Sequence, residues 1–151
     1  MANELTSITH PVAVEINNRK RLLTKLIEPI NQRLLAVSIA DPVAQEEATS
    51  VGGISGVQPL KIKPESDVFR LSFVDFVSYA VTEEMYAQSS DEQVSEGEWL
   101  RIYSKSFFLD FVSKTTWATS EFPGPLVHFQ INTLDHTIDI VTSKPPEIVR
   151  V

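Results

Sequence analysis

Residues 68–82 (VFRLSFVDFVSYAVT) put Phe69, Leu71, Phe73, Val77, Tyr79 and Val81 on one parity. Successive side chains of a strand point to opposite faces, so this run predicts β structure with one face against a core. Only Asp75 interrupts the parity, which predicts one long strand with a bend or bulge near 74–76. All thirteen aromatic residues fall between Phe69 and Phe129. That half is therefore expected to organise the core, with the N-terminal portion packing aliphatic side chains against it.

The second constraint is a hairpin of strands 126–132 and 136–142. Of its two possible parities, one sets Val127, Phe129 and Ile131 against Thr137, Asp139 and Val141. The other sets them against Ile138 and Ile140, and gathers His128, Gln130, Asn132, Thr137 and Asp139 on the opposite face. A one-residue slip inverts every side chain, so burial selects the second. The turn then spans Leu134-Asp135 or a slightly longer loop, and Pro145-Pro146 ends the strand.

Other segments fill in around these. Leu22, Leu23, Leu26, Ile27 and Ile30, with Ile16 before them, predict an amphipathic helix over 12–30 that ends or bends at Pro29. Residues 34–40 alternate as a half-buried strand, and 99–103 form a short one. Segment 41–59, with Gly52, Gly53 and Gly56, is expected to be a flexible loop, opening with a short helix capped by Asp41. Phe107, Phe108, Phe111 and Val112 return to helical spacing, predicting a short helix near 105–114 capped by Ser104 or Ser106. EFPGPL is a turn-rich connector. Together they predict one α+β domain over 1–151, with 1–11 frayed: an antiparallel sheet of about four to six strands carrying its helices on one face.

Charge narrows the partners. The net charge of −7 is uneven: residues 1–40 balance at +2, residues 41–100 at −9, and the remainder at zero. The stretch holding Glu83, Glu84, Asp91, Glu92, Glu96 and Glu98 contains no base. Such a field repels phosphate backbones, which argues against nucleic acid and for a basic protein partner. Arg19, Lys20, Arg21 and Lys25 are read as the wet side of the first helix, with anionic lipid or an acidic partner as the functional alternative. There is no cysteine, so thiolate catalysis and Cys-based zinc sites are excluded. The start MANELTSITHP lacks a signal peptide's basic and apolar regions, and no apolar run approaches the ~20 residues of a membrane span. A cytoplasmic protein without a membrane contact is the expectation.

Motifs for chemistry are sparse. VGGISGVQP has no Lys after Gly56 until Lys61, so it is no phosphate loop, and Ser55-Gly56 breaks the G-x-S-x-G pattern. No cofactor is implied. Neither H-E-x-x-H nor a tight ligand cluster suggests a metal, since His128 and His136 lie on different faces of the hairpin. His10 is placed in the frayed terminus. His128 with Asp139 is the candidate for chemistry, because a carboxylate can orient an imidazole as a general base. Glu83, Glu84, Glu96 and Glu98 are the candidate interaction residues; as paired carboxylates for glycoside hydrolysis they would need a sugar cleft.

The blocks DFVSYAVTEEMYA, RIYSKSFFLDFVSKTTWA and GPLVHFQINTLDHTIDIV resemble a set of small, functionally uncharacterised bacterial proteins, over about residues 68–142. The resemblance implies a bacterial cytoplasmic setting and carries over no catalytic residue. By analogy with small acidic bacterial proteins, it is compatible with a toxin-immunity-like role. The expected function is a non-enzymatic protein-binding module that meets a basic surface through 83–98. The alternative is a small enzyme or ligand-binding domain on the polar hairpin face, with a pocket holding His128, Asp139 and a residue such as Tyr79 or Glu83.

Overall fold

The computed structural model describes residues 10–44, 49–51, 54–57 and 59–151. The chain runs α1 (Pro11–Asn17), β1 (Leu23–Pro29) and β2 (Leu34–Ala40). Four short strands follow: β3 (Val43–Ala44), β4 (Thr49–Val51), β5 (Ile54–Val57) and β6 (Leu60–Lys61). Then come β7 (Val68–Val74), β8 (Phe76–Glu83), β9 (Val94–Glu96), β10 (Leu100–Lys105) and α2 (Phe107–Thr115). β11 (Val127–Asn132), β12 (His136–Thr142) and β13 (Glu147–Arg150) complete the chain. The fold is mixed α+β, with antiparallel sheets and two helices. The single expected sheet is instead two, ordered β1-β2-β7-β13 and β8-β12-β11-β10-β9, besides the pairs β3-β6 and β4-β5.

The core lies between the two larger sheets. Leu35, Val37 and Ile39 of β2 and Phe69, Leu71 and Phe73 of β7 form one cluster with Phe129, Ile131, Ile138 and Ile140 of the hairpin. Each such side chain, fully buried, contributes about 1.5–3 kcal/mol. The rings of Phe73 and Phe129 meet across the sheets with centroids 5.8 Å apart. α1 adds Ala13 and Ile16 to this core, whereas α2 packs on the outer face of β11 and β12. The helices therefore do not share one face as expected. Five of the thirteen aromatics stay outside the core: Tyr86, Phe107, Phe111, Trp117 and Phe122 are all more exposed than buried.

The long N-terminal helix is the main correction. α1 stops at Asn17, whose amide side chain both donates to and accepts from the backbone of Leu100, and β1 takes over at Leu23. In β1 the register shifts between Thr24 and Leu26, leaving Lys25 as an extra residue. Thr24 stands opposite Ile39 and Ile27 opposite Val37, so both face inward at a spacing of three. A bulged strand thus imitates the i, i+3 period of a helix. Residues 1–9 of the terminus expected to fray lie outside the described residues, and His10 Nδ1 accepts from Val12 N–H at 3.1 Å, capping α1, with Pro11 in the first turn. Asp41 caps no helix either, since Val43–Ala44 pairs with Leu60–Lys61 as strands, and 41–59 is not simply a loop. Of its glycines, Gly56 lies in β5, while Gly52 and Gly53 lie outside the described residues.

Part of the basic patch is engaged within the fold, while Lys20 and Lys25 are exposed. Arg19 pairs with Glu15, Asp41 and Asp67, and its guanidinium lies 5.1 Å from the centre of the Phe69 ring. Arg150 reaches Glu15 and Asp67 from β13. This cluster ties the N-terminal, central and C-terminal segments together and leaves Arg19 unavailable to lipid.

The interruption at Asp75 is sharper than a bend. With φ 59°, in the left-handed region that Asp tolerates better than most residues, it ends β7 and sends β8 into the other sheet. Its N–H donates to Arg33 O at 2.6 Å, and its carboxylate accepts from Arg33 and from Lys144 Nζ. Those hydrogen bonds hold its pKa at about 2, below the ordinary 3.8. A carboxyl depressed in the folded state stabilises above its unfolded pKa, and the contribution is lost as pH falls from about 4 to about 2. Asp75→Asn keeps the backbone preference and removes the charge. Its thermal midpoint, followed by circular dichroism, is expected to fall less steeply than wild type across that window. Parallel curves would show that these ion pairs do not contribute.

Candidate functional site

The hairpin takes the register that burial selects, with Phe129 opposite Ile140 and Ile131 opposite Ile138. His128, Gln130, Asn132, Thr137 and Asp139 therefore share the outer face of the five-stranded sheet. This face is not simply wet. Tyr103 of β10, paired with His128, stacks on its ring at 4.6 Å, and Phe108 of α2 lies 5.4 Å from it. His128 is 1% exposed, as buried as Phe129 on the other side.

Burial obliges the imidazole to satisfy both nitrogens. Nε2 lies 2.7 Å from Asp139 Oδ1, and Nδ1 lies 2.7 Å from Ser106 Oγ. An ionised carboxylate only accepts, so Nε2–H donates to Asp139, and Nδ1 shares the second hydrogen bond with the Ser106 hydroxyl. Ser106 Oγ in turn accepts Leu109 N–H at 3.0 Å, capping α2. Beyond the carboxylate, Gln130 Nε2 donates to Asp139 Oδ1 at 2.8 Å, and Gln130 Oε1 accepts from Tyr103 Oη and Asn132 Nδ2. One chain of polar contacts thus runs from the start of α2 across β11 to β12.

Ser, His and Asp in line suggest a hydrolytic triad, but the chemistry does not fit. In a serine hydrolase the acid orients Nδ1 and the serine meets Nε2; here the two are exchanged. More tellingly, Ser106 is 2% exposed and its oxygen is engaged in the helix cap, so no substrate carbonyl reaches it. The trio is a brace that seats α2 on the sheet. His128 keeps the polar partner expected of it, Asp139, while the ring itself is buried.

The open groups lie beside this brace. Two adjoining hollows, of about 490 and 280 Å³, lie along the outer face and share Ala87, Gln88, Gln130 and Thr137. Trp99, Arg101, Tyr103 and Glu84 help line the larger. Thr82, Tyr86, Phe107, His128 and Asp139 help line the smaller. A cavity holding His128 and Asp139 therefore exists, but Tyr79 and Glu83 are absent from it; Tyr79 packs against the core instead. Asp139 Oδ1 accepts both protein hydrogen bonds and leaves Oδ2 without a protein donor.

The acidic segment borders the same hollows. Glu84 opens a short 3-10 turn whose N–H donates to Asp135 O, and Glu83 stands opposite His136 at the end of β8. The Glu98 carbonyl accepts from Arg101 Nε and Asn132 Nδ2, both in the lining of the larger hollow. Glu96, exposed on the edge strand β9, faces Ile102. Among the described residues, no salt bridge involves Glu83, Glu84, Asp91, Glu92 or Glu98. In contrast, Asp41, Asp67 and Asp75 of the same acid-rich region are all paired.

Sequence reasoning missed Tyr103 and the second role of Ser106. The capping signal marks Ser106, but nothing local joins it to a histidine 22 positions away. No helix among the described residues is long and apolar enough to cross a membrane. No family model matches the chain, and neither a curated protein nor a solved structure is similar to it.

Proposed function

We propose that the protein is a non-enzymatic binding module whose outer sheet face, bordered by the acidic 83–98 segment, receives a basic protein surface. A cationic toxin is one partner of that kind. The observation that supports the reading is a run of exposed acids without a salt bridge, Glu83, Glu84 and Glu98, of which Glu84 lines the larger hollow, whereas Asp41, Asp67 and Asp75 are matched by Arg or Lys. Unpaired charge at the rim of a concavity steers an oppositely charged partner and fixes its register. Exposed Met85 and Tyr86 in the same segment supply apolar contact area beside the charges.

The test uses a lysine-rich peptide and the triple variant Glu83→Lys, Glu84→Lys, Glu98→Lys. All three side chains are exposed, so the fold should tolerate reversal. Calorimetric affinity is expected to drop by about tenfold or more, a loss of about 1.4 kcal/mol or more, and wild-type binding should weaken with added salt. Equal affinity before and after reversal would remove the acidic rim from the interface.

A further inference from the structure

Resting on that reading, we propose that the smaller hollow seats the guanidinium of an arginine from the partner protein, with Asp139 Oδ2 as its counter-ion. Asp139 is held in place by two donors on Oδ1, His128 Nε2 and Gln130 Nε2, each within 2.8 Å. The side chain is only 16% exposed, so its free oxygen sits partly shielded from water and calls for a charged donor. Asp139 is also the one carboxylate in the lining, which holds no Lys or Arg.

The neighbouring groups distinguish between cations. The Thr82 hydroxyl, the Gln88 amide and the Tyr86 hydroxyl line the hollow, and none makes a side-chain hydrogen bond within the protein. They are spare acceptors in the lining that also holds Asp139. Phe107 and Tyr86 add aromatic surface. A guanidinium presents five N–H groups in a plane and stacks its faces on rings; a lysine ammonium is a strongly hydrated point charge. A quaternary ammonium would leave Oδ2 without a donor.

Two peptides of equal length and charge, one built on arginine and one on lysine, are titrated calorimetrically into the wild type, Asp139→Asn and Tyr86→Ala. The arginine peptide is expected to bind about tenfold tighter to the wild type, a difference of about 1.4 kcal/mol. Asp139→Asn should erase the preference while sparing lysine-peptide binding, because it turns the acceptor at Oδ2 into a donor. Tyr86→Ala should reduce it, and with the ring 74% exposed this variant guards against misfolding of the first. Equal affinities that neither variant alters would overturn the arginine site and leave the acidic-surface reading standing. No binding by either peptide would overturn both. Free L-arginine is the third probe: binding as tight as the peptide's would make the ligand a small molecule and overturn the partner side chain.

Discussion

Phe73→Ala is expected to lower the unfolding free energy by about 3–5 kcal/mol, the largest single loss in the domain. Phe73 has no solvent exposure, projects from the four-stranded sheet and meets Phe129 of the five-stranded one. Its removal leaves a cavity at the contact between the sheets, where neither can close in without disturbing its own ladder. Phe111→Ala is the control, since that ring lies 57% exposed on α2 and its loss should stay within about 0.5 kcal/mol. Urea denaturation of both variants makes the comparison. Adding Phe129→Ala completes a double-mutant cycle, in which a direct ring contact should appear as a coupling of about 0.5–1.5 kcal/mol. A cost for Phe73→Ala no larger than that for Phe111→Ala would mean the two sheets do not pack as described.

That comparison also marks where the sequence was legible. Phe69, Leu71 and Phe73 announce their burial by alternation, and the hairpin register follows from placing Phe129 and Ile131 opposite Ile138 and Ile140. Both are local consequences of a period of two. The same period hides the change of sheet at Asp75, because parity says which side is buried and not which sheet supplies the partner strand. In 22–30 the period itself is disturbed. The extra residue at Lys25 moves Ile27 into phase with Thr24, and the apolar doublets then fit a helix as well as a bulged strand. Only pairing with β2 decides between them, and that contact is not local.

The candidate site was half legible for the same reason. Alternation grouped His128, Gln130 and Asp139, and spacing predicted a helix at 105–114 capped by a serine. Neither signal says that α2 folds back over the polar face of the hairpin. Once it does, a face that would otherwise meet water becomes a second, polar interior. The acids at 83–98 were visible as a run without bases, but that Glu83, Glu84, Asp91, Glu92 and Glu98 make no salt bridge is a separate fact. Asp41, Asp67 and Asp75 share the acid-rich region and are all paired.

The polar interior yields the second large effect, in which stability separates a brace from a catalyst. His128→Ala should cost about 3–4 kcal/mol, because it removes a buried ring stacked on Tyr103 and takes one hydrogen-bond partner each from Ser106 and Asp139. Ser106→Ala should cost about 2–3 kcal/mol: about 1 for the lost cap of α2 and the rest for His128 Nδ1, left buried without a hydrogen-bond partner. The double variant should cost less than the sum, since both single changes break the same hydrogen bond. A nucleophilic serine behaves differently. Catalytic residues are commonly held at some expense to stability, so truncating one is often neutral or stabilising while activity disappears. Denaturant midpoints for the three variants therefore decide the role of Ser106 without knowledge of any substrate. A Ser106→Ala protein as stable as wild type would remove the brace and return the hydrolytic reading to consideration.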